Sequence, residues 1–115
     1  MKYIILIYNS EANDKAMTQQ EAGKLMEAYG AYSQAMVKAG VMVGGERLKP
    51  TDTATTVRTK NGRTEVLNGP YADTREQLGG YYMIDVPDLD AAITWAARCP
   101  SSSNGTIEVR PIWAM

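Results

Sequence analysis

The chain has 115 residues, a formal net charge of −1, a single cysteine and no histidine. This length holds one hydrophobic core, and the near-neutral balance without a Lys/Arg run argues against a nucleic-acid or anionic-membrane surface. Without histidine there is no Ser-His or Cys-His nucleophile pair within the chain and no His-ligated zinc, iron or copper site. Acid–base chemistry therefore falls to Asp, Glu, Tyr, Lys or Cys.

Taken in chain order, residues 2–8, KYIILIY, are β-branched and aromatic without polar alternation. That pattern predicts a strand covered on both faces. The Lys before an apolar run mimics a secretion signal, but the run is short and no small-residue cleavage site follows. Thr18-Gln19-Gln20-Glu21 is a capping box, and a helix follows it. Ala22, Leu25, Met26, Tyr29, Tyr32, Met36 and Val37 form its apolar stripe, and Gly40 ends it. VMVGGERL, 41–48, reads as a second strand closed by Pro50. Residues 55–67 read as a hairpin about Asn61-Gly62, with Val57 opposite Val66 and Arg58 opposite Glu65. A polar, turn-rich segment, 68–79, comes next. GYYMIDV, 80–86, is a further strand, and Asp88 caps a second helix whose buried face is Leu89, Ala92, Ile93, Ala96 and Ala97. Cys99-Pro100 ends that helix, and TIEVRPIW, 106–113, is the last strand. No stretch reaches membrane-spanning length. The lone Cys99 rules out an intrachain disulfide and fits a cytoplasmic location.

This order is the split βαβ pattern of a ferredoxin-like α+β sandwich, with an added hairpin, in one domain spanning 1–115. Two helices cover one face of the sheet. Tyr3, Ile5 and Ile7 on one face and Ile4, Leu6 and Tyr8 on the other are all apolar. The second face therefore needs a cover. With no third helix in the pattern, the expected cover is a second copy of the sheet, giving a homodimer with two sheets face to face.

The phrase NGPYADTREQLGGYYMIDVPDLDAAITWAARCP, 68–100, resembles the signature of the DGPF family within the YCII-related domain superfamily. Asn68 stands where that signature usually has Asp, Tyr71 replaces Phe, Asp73 replaces Glu and Arg75 replaces Lys. GGERLKP, 44–50, and TIEVRPI, 106–112, are also similar to the family. The resemblance covers nearly the whole chain and implies a dimeric α+β barrel. Related YCII-type proteins are thought to use a His–Asp pair, which this chain lacks. Some DGPF proteins are associated with extracytoplasmic-function sigma factors, and this chain carries no such domain.

The candidate chemistry is carboxylate-based. Glu46 follows two glycines on an otherwise apolar strand, where partial burial would suit it as a general base. Pairing with Arg47 or Lys49 is its structural alternative. Asp73 and Glu76, in the turn-rich segment, are a second carboxylate source or local caps. In the last strand Ile107 and Val109 fall on one side, and Glu108 and Arg110 on the other. Arg110 would then clamp an anion in the dimer cleft or pair with Glu108. Tyr8 and Tyr82 line the cleft or belong to the core. Three classes fit: a small enzyme using proton transfer or elimination on a metabolite, with no metal or organic cofactor; a ligand-sensing or accessory module using the same cleft; and a structural dimer.

Overall fold

The computed structural model describes residues 1–115. A four-stranded antiparallel sheet has the order β2-β5-β1-β6. Its strands are β1 (Lys2–Asn9), β2 (Met42–Arg47), β5 (Gln77–Asp85) and β6 (Thr106–Pro111). Two helices, α2 (Gln19–Lys38) and α3 (Leu89–Ala97), make the crossovers. Strands β1 and β2 both flank β5. This is the split βαβ arrangement, an α+β fold of ferredoxin-like order.

The helix starts follow from their caps. The Thr18 hydroxyl accepts from the Glu21 amide at 3.1 Å, and the Glu21 carboxylate accepts from the Thr18 amide at 3.1 Å. Asp88 accepts from the Ala91 amide at 2.9 Å at the head of α3. Hairpin strands β3 (Thr55–Lys60) and β4 (Arg63–Asn68) pair in the expected register, Val57 with Val66 and Arg58 with Glu65. Asn61 and Gly62 at its tip both have positive φ, 50° and 75°, as a type I′ turn requires. This hairpin is a separate two-stranded sheet, exposed on both faces.

One side of the main sheet carries the core. Tyr3, Ile5, Ile7 and Ile84 meet Tyr32 and Met36 of α2, Ala92 of α3, and Cys99. The other side carries Ile4, Leu6, Tyr8, Tyr81 and Met83, only half-buried because nothing lies over them. The chain is a slab of 47 × 43 × 18 Å.

The structure differs from the sequence-based expectation in four places. A short helix, α1 (Glu11–Lys15), follows β1, capped by Ser10. At five residues and with no buried side chain, it has no apolar period to announce it. Strand β5 starts at Gln77 rather than 80, because a bulge at Gly79 absorbs one residue between Ile7 and Tyr8 of β1. The apolar stripes are broader than the buried faces: Met26, Val37, Leu89 and Ile93 are exposed. Pairing in β6 stops at Pro111, which leaves Trp113 exposed.

Candidate functional site

A concave feature with a mixed polar and apolar lining lies on the helix side of the sheet. The N-terminal half of α2 stands off β2 and β5, leaving a cleft of about 740 Å³. Leu25, Met26 and Met42 supply apolar wall, while α1 stands at the mouth with Asp14 and Lys15.

Its walls are held by specific polar contacts. The Glu11 carboxylate accepts from the Thr51 amide at 2.8 Å and the Thr51 hydroxyl at 2.6 Å. The Glu11 amide donates to Oε1 of Gln77 at 2.9 Å, and Nε2 of Gln77 donates to the Thr74 carbonyl. So Gln77, at the end of the turn-rich segment, ties α1 to the sheet. Gly45 is required by close approach, since a Cβ there would lie 2.7 Å from the Tyr81 carbonyl and 2.8 Å from Cδ1 of Tyr82. The Tyr82 ring leans over it and meets Tyr32 edge-on, with ring centroids 5.4 Å apart.

Three groups in this cleft are chemically available. Arg47 pairs with no carboxylate, as the two ion pairs of the chain join the N-terminal amine to Asp85 and Arg110 to Glu108. Its side chain makes one hydrogen bond, from Nη1 to Sδ of Met26 at 3.6 Å. Asp14 has its carboxyl raised above the ordinary value, chiefly by partial burial; the Arg47 charge opposes the shift and Glu11 adds to it. The third is a hydroxyl pair. Ser33 and Tyr82 share one hydrogen bond of 2.8 Å, which uses one of their two O–H donors and leaves the other for the cleft.

Tyr29 and Tyr32 have a different role. The Tyr29 hydroxyl bonds Oγ of Ser101, and the Tyr32 hydroxyl donates to the Trp95 carbonyl at 2.8 Å. Burial pushes both phenols up, so they stay protonated; Tyr32 pins α2 to α3 and Tyr29 pins it to the segment after α3.

The YCII-related domain family matches residues 1–115. The chain belongs to this family. An uncharacterized protein, R00369, of Rhizobium meliloti (strain 1021) is 39% identical over 114 residues, covering 97% of this chain and 92% of that protein.

In this YCII-related chain the six residues singled out by sequence do not converge. Tyr82 lines the cleft, in the half-buried, hydroxyl-bonded state described. The Glu46 carboxylate is not buried. It sits at the cleft's edge but pairs in register with Tyr81, whose side chain shares the open face with Leu6. The reason is a bulge at Val43, between Met42 and Gly44. It flips the alternation, so Met42, Gly45 and Arg47 face α2 while Glu46 faces away. Tyr8 and Arg110 also belong to the open face, and Arg110 Nε lies 3.5 Å from Glu108. Asp73 is exposed in the connecting loop. Glu76 accepts from the Thr106 hydroxyl at 2.6 Å and so ties that loop to β6.

Asp14, Ser33, Arg47 and Gln77 escaped the sequence reading. Asp14 lies on a helix too short to read, and Gln77 is one polar residue among many. Arg47 had a signal in its position next to Gly44-Gly45 on a strand, but its facing depends on a bulge that local patterning does not announce.

Proposed function

We propose that this chain is a DGPF-type YCII-related protein that binds a small metabolite in the cleft under α2 and catalyses carboxylate-based proton transfer on it, without a metal or organic cofactor. One observation carries this reading: an unpaired guanidinium, a carboxyl with a raised pKa and a spare hydroxyl donor all line one cleft of about 740 Å³. Arg47 binds and polarises the ligand, Asp14 exchanges the proton, and the Ser33–Tyr82 pair orients an acceptor oxygen. A carboxyl whose pKa is moved toward neutrality is better matched to proton exchange at physiological pH.

The active form in this proposal is a homodimer joined through the open sheet face. The supporting quantity is surface area. The chain exposes 8394 Å², roughly 2,200 Å² more than the ~6,200 Å² of a compact monomer of this mass. A standard interface needs only about 800 Å² per partner. A native mass of twice 12.6 kDa supports the dimer, and a monomer at micromolar concentration removes it.

A ligand-sensing module without turnover is the second reading. It is favoured by the loosely packed roof of the cleft, which a ligand would order. Methyl NMR of the methionines tests both. Met17, Met26 and Met42 line the cleft, Met36 is core, and Met83 lies on the open face. A screen of small metabolites should shift the first three and spare Met36. A hit whose C–H exchanges with deuterated solvent in the wild type, and not in Asp14→Asn, identifies an enzyme. A hit bound equally by both proteins without exchange identifies a sensor. Shifts confined to Met83 contradict the cleft.

A further inference from the structure

The cleft also carries information about the class of its ligand. We infer that it takes a small planar carboxylate with an aromatic or conjugated body, its carboxylate on Arg47 and its ring on the bare backbone at Gly79-Gly80. This deepens the cleft reading above and rests on it.

Charge comes first. Arg47 and Lys15 are the cleft's cations. Of the carboxylates that line it, Glu46 faces away at its edge, and Glu11 already accepts twice from Thr51. Asp14 feels the Arg47 charge yet forms no ion pair with it. A guanidinium lined up with only a thioether, at 3.6 Å, lacks the planar acceptor that its forked donors match. A carboxylate supplies that acceptor.

Shape comes second. Arg47 lies directly opposite Gly80 in the β2–β5 register. A Cβ at Gly80 would meet the backbone of 46–47, nearest at 3.0 Å, and one at Gly79 would meet only Asn9 Nδ2 and the Ile7 carbonyl, beyond 3.5 Å. Gly80 itself is buried against the β2 backbone, so the side-chain-free surface next to the guanidinium is the half-buried Gly79 and its peptide to Gly80. Across the cleft stand Leu25 and Met26, with Met42 on the sheet side. Flat peptide below and polarisable thioethers around it suit a ring better than a branched aliphatic chain.

Calorimetric titration of the whole chain with benzoate and trans-cinnamate, and with their neutral amides, tests this. The carboxylates should bind at least about tenfold tighter than the amides, as a charged hydrogen-bonded contact implies. Arg47→Met should erase that preference, weakening the carboxylates far more than the amides. Arg47→Lys, which keeps the charge and loses the fork, should retain part of it. Arg47 is exposed, so both variants should fold, and their far-ultraviolet circular dichroism provides the check. Amides binding as well as carboxylates, or carboxylates unaffected by Arg47→Met, overturn the anion assignment while the cleft reading stands. Binding of neither set at millimolar concentration overturns the ligand class, and the methionine-methyl screen with other metabolites then judges the cleft by itself.

Discussion

The two halves of α2 differ sharply. From residue 30 on, the helix buries Tyr32 and Met36 against β1 and α3 and is pinned by the Tyr32 hydroxyl. Before residue 30 only Leu25 and Tyr29 are even half-buried, and Met26 is exposed. Gly23 and Gly30 interrupt it with nothing within 4 Å of where a Cβ would sit. No close packing requires these glycines, and each weakens the helix by roughly 0.5–1 kcal/mol relative to Ala. One continuous helix thus serves as core at one end and as the roof of a cleft at the other. Dense packing sets the fold, and the site is built where packing is withheld.

The largest effect should come from the packed half. Met36→Ala, at a fully buried position, should lose about 2–5 kcal/mol in urea unfolding, whereas Leu25→Ala in the roof should lose much less. Equal losses would erase the distinction between the halves. Gly45→Ala drives a methyl into the Tyr81 carbonyl and the Tyr82 ring. It should lose about 1–3 kcal/mol and also displace the Ser33–Tyr82 pair, weakening any ligand found for the cleft. Thr18→Ala removes the capping box at the head of the roof and should lose about 1 kcal/mol. Gly30→Ala should instead gain roughly 0.5–1 kcal/mol and slow ligand entry, which stopped-flow binding would record.

The smallest effect at neutral pH should be at the pins. Tyr29 and Tyr32 have folded phenols raised above their ordinary 10.0, so the unfolded chain loses those protons first. Their contribution to stability should therefore be constant well below pH 10 and fall as pH rises through the ordinary phenol value. Tyr32→Phe should flatten that fall in alkaline denaturation. An unchanged slope would mean the phenol is not protected in the folded chain.

The sequence revealed those parts of the molecule whose determinants are local. The capping box at Thr18–Glu21, the Asn61-Gly62 hairpin register and the Asp88 cap each reside in a few adjacent residues, and each appears as expected. Alternation in β6 correctly put Ile107 and Val109 on the side opposite Glu108 and Arg110. The cleft was illegible because four distant segments build it and no spacing links them. The Val43 bulge made this worse, since a single extra residue exchanged Glu46 for Arg47 at the site. The turn-rich segment 68–79 offers Asp73 and Glu76, by sequence, as a second carboxylate source or as local caps. Its contribution to the cleft is instead the Gln77 clamp and the bare backbone at Gly79-Gly80. Glu76 fastens the segment to β6.

Amide hydrogen exchange along α2 tests the division of this helix most directly. The account predicts that amides of 23–27, ahead of the Tyr29 pin, exchange through local opening, orders of magnitude faster than those of 32–38, which should exchange only with global unfolding. A ligand of the cleft should slow the first group and leave the second unchanged. Uniform protection from Glu21 to Lys38 would contradict the account, because the roof would then be as firmly packed as the core.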